Sequence, residues 1–116
     1  MLVLVYRKCS TCLKALKWLD ENGIKYEERP IVEQNPTFDE LKEWHGKSGL
    51  PLKKFFNTSG LLYKEMKLKD KLAEMSEEEQ LQLLATNGML VKRPLVVGED
   101  YVLTGFKEAE WKEKML

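Results

Sequence analysis

The sequence of 116 residues has little cysteine, little histidine and no excess of either charge. Two cysteines and one histidine fall short of the four ligands that a structural zinc site takes, which disfavours such a site. The 19 Lys and Arg residues balance 19 Asp and Glu residues, whereas nucleic-acid-binding proteins usually carry a basic excess or stripe. No segment approaches the ~20 apolar residues of a membrane span, and the apolar N-terminus is too short for a secretory signal. We therefore expect a cytoplasmic protein with no metal and no direct contact with nucleic acid or membrane.

The composition favours one globular domain. With 116 residues, 43% of them hydrophobic, the chain can bury a core without further covalent support. We expect a single domain over 1–116. The residue patterns predict a first half made of a strand over 2–6, a helix over 10–22 and a strand over 24–29 that ends before Pro30. A helical insert is predicted over about 35–88. The second half is predicted to contain strands over 95–97 and 101–103 and a helix over 107–115. Without the insert, this βαβ…ββα order is that of an α/β, thioredoxin/glutaredoxin-like fold.

Local signals mark two helix starts within the insert. Thr37 and Glu40 predict a capping box, in which the threonine oxygen accepts from the glutamate amide and the carboxylate reaches back. Ser76 and Glu79 repeat this pattern. His45 falls on the polar face of the first of these helices. We interpret it as a surface histidine with no catalytic role.

Both cysteines, Cys9 and Cys12, lie where the first strand is predicted to become a helix. At a helix start, unpaired backbone amides and the helix dipole favour a thiolate, and thiol pKa values fall to about 3.5–7.5. Arg7, Lys8 and Lys14 add positive charge nearby. A cytosolic Cys-x-x-Cys beside a βαβ pattern is a thioredoxin-like redox signal.

This placement predicts different roles for the two thiols. Cys9 is the predicted nucleophile. Cys12 lies one turn later and begins the apolar stripe of the helix, which suits a resolving cysteine that closes a Cys9–Cys12 disulfide. Ser10 and Thr11, between them, are candidate substrate-binding residues. On the residues alone, two inert cysteines and a zinc site remain open, although the shortage of ligands disfavours zinc.

A second candidate feature is Lys92-Arg93-Pro94, directly before a predicted strand. In a thioredoxin-type fold the loop that enters this strand faces the cysteines, and a cis bond before Pro94 would present backbone to a substrate. Arg93 would then hold its guanidinium near the Cys9 sulfur, stabilise the thiolate and bind an oxyanion through its forked donors. An arginine that caps a surface loop is an equal alternative at this point.

The chain resembles the arsenate reductase-related family of thioredoxin-fold proteins, which includes ArsC and Spx, over nearly its whole length. The resemblance depends on four stretches, which are Tyr6-Arg-Lys-Cys-Ser-Thr-Cys12, Lys14-Ala-Leu-Lys-Trp-Leu19, Leu52-Lys-Lys-Phe-Phe-Asn-Thr-Ser-Gly60 and Lys92-Arg-Pro-Leu-Val96. It implies that Cys9 is the catalytic or redox-active cysteine. It also implies that Arg93 lies at the active site, followed by a cis-proline, Pro94.

The chain departs from this family's glutathione-coupled arsenate reductases, which have three arginines around the cysteine. Phe56-Asn57-Thr58 and Leu103-Thr-Gly-Phe106 stand where two of those arginines are expected, so that only Arg93 remains. With fewer cationic groups, arsenate would be held less well. These relatives commonly lack a second motif cysteine, so Cys12 favours intramolecular disulfide chemistry.

Three functions are consistent with the resemblance. The first is a cytosolic thiol–disulfide oxidoreductase that reduces arsenate, a glutathione mixed disulfide or a protein disulfide. It would bind no cofactor and would use glutathione or a thioredoxin/glutaredoxin system as reductant. The second is a Spx-like redox-sensing transcriptional regulator that binds RNA polymerase, in which the disulfide is a switch. The third is a thioredoxin-fold scaffold with vestigial cysteines. Catalytic turnover would distinguish the first from the others.

Overall fold

The structure is a computed structural model that describes residues 1–116. Its strands are β1 (Leu2–Val5), β2 (Glu27–Pro30), β3 (Leu95–Val97) and β4 (Val102–Thr104). Its α-helices are α1 (Ser10–Glu21), α2 (Phe38–Ser48), α3 (Leu61–Glu65), α4 (Leu68–Lys71), α5 (Glu77–Leu84) and α6 (Glu108–Met115). Short 3-10 turns cover Leu52–Phe55, Leu72–Glu74 and Gly88–Leu90. No helix combines the length and the apolar character needed to cross a membrane.

The four strands form one mixed sheet in the order β2-β1-β3-β4. β1 runs parallel to β2 and antiparallel to β3, and β3 pairs antiparallel with β4 as a hairpin. The helix α1 makes the crossover between the two parallel strands. This arrangement confirms the predicted thioredoxin-like α/β fold, with a helical insert between the two halves.

β1 is the central buried strand. Val3, Leu4 and Val5 are at most 1% exposed, because helices cover both faces of the sheet. Side chains alternate along a strand, so Leu4 packs against the helical insert, while Val3 and Val5 pack on the side of α1 and α6. On that side the rings of Trp18 and Trp111 meet edge to face, with 5.9 Å between centroids. The helix that carries the cysteines is therefore anchored against a rigid core.

Three strands differ from their predicted bounds, and the first, β1, ends at Val5, one residue earlier than expected. β2 begins at Glu27 and includes Pro30, which pairs with Val5, although we expected the strand to end before the proline. β2 is an edge strand, where the missing proline N–H costs no sheet hydrogen bond. β4 is displaced by one residue toward the C-terminus, because Gly98 N donates to Tyr101 O at 2.9 Å and places Tyr101 in the hairpin turn.

Both predicted capping boxes are present. Glu40 N donates to Thr37 Oγ1 at 3.1 Å, and Thr37 N donates to Glu40 Oε1 at 3.0 Å. The same reciprocal pair forms between Ser76 and Glu79 at the start of α5. The Glu40 carboxylate also accepts two hydrogen bonds from the Arg29 guanidinium, at 2.7 and 2.9 Å. This forked pair ties the edge strand β2 to the first helix of the insert.

Glu40 gives a testable dependence of stability on pH. The hydrogen bonds from Arg29, partly opposed by burial, lower the pKa of Glu40 to about 2. A lowered carboxyl pKa stabilises the folded state at pH values above 4.5, the ordinary pKa of the group. This stabilisation is lost as the pH falls from 4.5 toward about 2. We expect Glu40→Gln to reduce the free energy of unfolding at neutral pH by about 1 kcal/mol, since the pair is partly exposed. Urea unfolding of the wild-type protein and of Glu40→Gln should show that the difference in the free energy of unfolding becomes smaller as the pH falls from 4.5 toward about 2.

Glu79→Gln is the matched control, because Glu79 occupies the same position in a capping box but has no arginine partner. Its effect on the free energy of unfolding should be smaller than that of Glu40→Gln. Equal effects of the two substitutions at every pH would show that the Arg29 pair contributes nothing.

His45 is less exposed than we predicted. Its side chain is 17% exposed, its ring meets Phe55 edge to face at 5.7 Å, and its Nδ1 lies 3.2 Å from Glu77 Oε1. His45 is therefore intermediate in exposure, because α5 and the turn before Phe56 pack against this face of α2. His45 is nevertheless absent from the cavity that contains Cys9.

Candidate active site

Cys9 occupies the N-cap position of α1, directly after the loop that leaves β1. Its backbone is extended, with φ −96° and ψ 120°, and the helix begins at Ser10. Cys9 N donates to Tyr6 O at 2.9 Å, and Leu13 N donates to Cys9 O at 3.1 Å. These bonds fix Cys9 between a strand and the first helical turn. Its side chain is half-buried, whereas Cys12 is fully buried.

The local environment lowers the pKa of the Cys9 thiol. Partial burial raises this pKa, but hydrogen bonds from the Cys12 amide, the Cys12 thiol and the Thr11 amide lower it, and so does the positive charge of Arg93. The lowering effects prevail. The first-turn amides can do this because they have no partners within the helix. Cys9 is therefore the thiol of the pair that forms a thiolate more readily.

Cys12 has the opposite electrostatic character. Desolvation by burial raises the pKa of Cys12 to about 12, although Tyr6 N donates a hydrogen bond to its sulfur at 3.5 Å. The neighbouring Cys9 raises it further. Cys9 therefore ionises at a lower pH than Cys12. Both thiols are free in this structure.

Arg93 lines the same cavity as Cys9. The Arg93–Pro94 peptide bond is cis. The guanidinium carbon lies 5.1 Å from the centroid of the Tyr6 ring, and Nη1 donates to Met89 O at 3.4 Å. Arg93 Nε is buried and has no hydrogen-bond partner. A buried donor without a partner is costly, so this guanidinium is suited to an acceptor that the chain itself does not supply.

A cavity of about 440 Å³ surrounds the exposed side of Cys9. Its walls come from four parts of the chain and consist of Cys9, Thr11, Asn57, Ser59, Gly60, Lys92, Arg93, Thr104, Gly105, Phe106 and Lys107. Among the predicted site residues, Cys9, Thr11 and Arg93 line it. Ser10 and Pro94 do not, since Ser10 is exposed on the helix surface and Pro94 is buried. Cys12 lies behind Cys9, in the core.

Two lysines supply positive charge that the sequence comparison did not find. Lys92 and Lys107 line the cavity together with Arg93, whereas the nearby cations that we expected were Arg7, Lys8 and Lys14. Arg7 takes no part, because its guanidinium pairs with Glu28, with Nε 2.7 Å from Oε2. Lys8 and Lys14 are also absent from the walls. Lys92 is adjacent to Arg93 in the motif, but no sequence signal indicates that the start of α6 comes close.

The loop after β4 forms one wall and needs a glycine. Gly105 has φ +76°, and a Cβ atom there would lie 3.2 Å from Lys92 Cε. Gly105 N donates to Pro94 O at 2.9 Å, and Trp111 Nε1 donates to Gly105 O at 3.2 Å. The loop is thus held between the proline segment and α6. The structure contains no group of three or more side chains that could hold a metal ion.

A mixed thioredoxin-like sheet with paired thiols at a helix start defines the class, which is that of thioredoxin-fold proteins with a Cys-x-x-Cys site. Within that class, the chain belongs to the ArsC family, whose profile matches residues 4–114. The match covers the cysteine motif, the insert and the Arg93–Pro94 segment.

Relatives of this chain include proteins of different kinds. YusI, an uncharacterized protein of Bacillus subtilis, is 56% identical over 108 residues, which cover 93% of this chain and 92% of YusI. The crystal structure of an ArsC family-related protein from Bacteroides fragilis has a TM-score of 0.94 and 64% identity, over 97% of this chain and 94% of that one. The global transcriptional regulator Spx 2 of Bacillus anthracis is 28% identical over 102 residues, or 88% of this chain and 76% of Spx 2.

Proposed function

We propose that the protein is a thiol–disulfide oxidoreductase, in which Cys9 is the nucleophile and Cys12 is the resolving cysteine. The observation that carries this proposal is the contrast between the thiols. Cys9 has a lowered pKa and borders a cavity, whereas the pKa of Cys12 is about 12 and its side chain is buried one turn later. The first attacking thiol must be ionised and accessible to the substrate, whereas the resolving thiol can stay protonated until it gives up its proton as it attacks the Cys9 sulfur.

The proposed reaction is a balanced exchange. The Cys9 thiolate attacks one sulfur of a substrate disulfide, the substrate S–S bond breaks, and the first substrate thiolate leaves. Cys12 then attacks the Cys9 sulfur, so that the Cys9–Cys12 disulfide forms and the second substrate sulfur leaves. The proton of Cys12 passes to a departing thiolate. The substrate gains two electrons, which an external thiol such as glutathione or a dithiol protein of the thioredoxin/glutaredoxin type restores to the enzyme.

The cations around Cys9 favour a negatively charged substrate. Lys92, Arg93 and Lys107 surround the cavity, so carboxylates of a glutathione mixed disulfide would find positive charge beside the sulfur. Arsenate is the second substrate candidate, since the same three groups could bind an oxyanion. Two of the three are lysines, which act as point charges and lack the fork that binds oxyanions through two donors. We therefore place the mixed disulfide before arsenate.

Turnover tests this proposal. We expect the protein to reduce a glutathionylated peptide catalytically when a thioredoxin or glutaredoxin system is supplied, as measured by peptide release. Without reductant, mild oxidation should give a monomer that has lost two hydrogens by mass spectrometry, which reports the Cys9–Cys12 disulfide. Arsenate in place of the peptide should give a slower rate. The proposal would be contradicted if the protein formed a dimer linked through Cys9 under all conditions. It would also be contradicted if the protein released the peptide no faster than free cysteine does.

A Spx-like regulator is the alternative function, and one observation favours it. The relative Spx 2, a global transcriptional regulator, aligns with 88% of this chain. In that case the disulfide would form once per oxidation event, and RNA polymerase would be the partner. Copurification with RNA polymerase that depends on the oxidation state, without catalytic turnover, would support the regulator and contradict the oxidoreductase.

A further inference from the structure

A groove lined by lysines adjoins the Cys9 cavity. It encloses about 700 Å³ between the end of α2, the turn at Leu52–Phe55, β4 and α6. Its lysines are Lys47, Lys53, Lys54, Lys92, Lys107 and Lys114. Three carboxylates, those of Asp100, Glu110 and Glu113, lie in the same walls. Because the whole chain has zero net charge, the groove is a local concentration of positive charge.

The ammonium groups of this groove have no anionic partner within the chain. The ion pairs of the structure are formed by other residues, and none of the six lysines takes part in one. Lys47 alone is engaged, since its Nζ donates to Gly98 O at 2.7 Å and to Glu99 O at 3.2 Å. The other five keep all three donors available to a ligand.

The groove and the Cys9 cavity meet at a shared wall. Lys92, Thr104 and Lys107 line both spaces. Lys92 lies at the junction, with Cε close to the backbone of Gly105. A ligand that places its sulfur at Cys9 and is longer than the cavity would therefore continue between these lysines into the groove.

On the basis of the proposed oxidoreductase function, we propose that this groove binds an acidic polypeptide segment adjacent to the disulfide that Cys9 attacks. The cavity of about 440 Å³ already lies within the 300–1,000 Å³ of ordinary small-molecule sites, so a small disulfide has no need of the groove. Exposed ammonium groups select carboxylates. The carboxylates of Asp100, Glu110 and Glu113 lie among the lysines and would repel a nucleic acid, whose backbone carries a negative charge at every phosphate. The carboxylates of a peptide are spaced unevenly, so a peptide can place them at the lysines and away from these three groups.

Two matched peptides test this inference on the full-length protein. Each carries one cysteine as a mixed disulfide with thionitrobenzoate, followed by a run of glutamates in one peptide and of glutamines in the other. The Cys9 thiolate forms a bond to the peptide sulfur, and the coloured thionitrobenzoate thiolate leaves. We expect the glutamate peptide to react about tenfold faster at low salt, and this ratio to shrink as salt screens the charges. Lys53→Gln with Lys54→Gln should lower the ratio about fivefold.

Lys69→Gln with Lys71→Gln is the matched control, because these lysines lie on α4, outside both spaces. This variant should keep the wild-type ratio. The proposed role of the groove would be wrong if the wild-type protein reacted equally fast with the two peptides, or if the rate ratio fell equally in both double variants. Either result would leave the oxidoreductase function intact. If the glutamine peptide reacted no faster with the protein than with free cysteine, the oxidoreductase function would be contradicted instead.

A direct binding measurement tests the groove even if the protein does not react with the peptide disulfides. Fluorescence anisotropy of the glutamate peptide, with serine in place of cysteine, should show binding that the Lys53→Gln and Lys54→Gln changes weaken. Equal binding of the glutamine peptide, or tighter binding of a single-stranded oligonucleotide, would overturn the inference.

Discussion

The Cys9→Ser variant is expected to lose all disulfide reduction, with turnover no greater than that by free thiols in solution. Serine cannot supply a thiolate, and Cys12 cannot replace it, because burial raises the pKa of Cys12 to about 12. At neutral pH almost no Cys12 thiolate exists, and its sulfur does not line the cavity. Peptide release under steady-state conditions measures this loss.

Cys12→Ser is the matched variant and should behave differently. It retains the accessible thiol with the lowered pKa, so the first exchange should still proceed. The Cys9 mixed disulfide would then remain unresolved and could be detected by intact mass. This mixed disulfide forms without added reductant, because one substrate thiol leaves in that first step.

The alkylation rate as a function of pH distinguishes the two thiols. In Cys12→Ser, reaction with iodoacetamide should follow a pKa below the ordinary cysteine value of 9.0, because the serine hydroxyl can donate in place of the Cys12 thiol. In Cys9→Ser, reaction should appear only in strongly alkaline solution. If Cys12 alone were alkylated at neutral pH, the roles would be reversed and the proposed order of attack would be wrong.

Local sequence signals predicted the elements that depend on short-range chemistry. The capping boxes at Thr37 and Ser76 fixed the starts of α2 and α5, since a cap depends on residues only three positions apart. The apolar run of β1 predicted a strand buried on both faces. By contrast, the start of β2 depends on pairing with a distant strand. Its inclusion of Pro30 follows from its edge position, which no local pattern reveals.

The candidate site divides in the same way. Cys9 and Cys12 were predictable, because their environment comes from one strand and the helix that follows it. Arg93 came from the motif around Pro94 and from the family resemblance. Lys107 was missed, because it reaches the site only through the packing of α6. The partly buried state of His45 was missed for the same reason, since contacts with Phe55 and α5 are distant in sequence.

Replacement of Arg93 with alanine should impair the chemistry more than the fold. The positive charge of Arg93 lowers the pKa of Cys9, so its removal should raise that pKa and reduce the thiolate fraction at neutral pH. The guanidinium, which lines the Cys9 cavity, would also no longer be available to an anionic substrate. We expect turnover to fall about tenfold or more, the order for loss of a charge-assisted hydrogen bond. Steady-state kinetics and the alkylation profile in a Cys12→Ser background measure the two effects separately.

The unfolding free energy and a conservative variant complete the test of Arg93. The side chain contributes one long hydrogen bond to Met89 O and a stacking contact with Tyr6, so alanine should change the free energy of unfolding by no more than about 1 kcal/mol. Arg93→Lys keeps the charge but loses the planar fork. It should therefore restore most of the Cys9 reactivity toward iodoacetamide, and less of the turnover with an anionic substrate. Wild-type thiol pKa and turnover in Arg93→Ala would instead show that Arg93 has no part in the chemistry, because neither the thiolate nor the substrate would then depend on its charge.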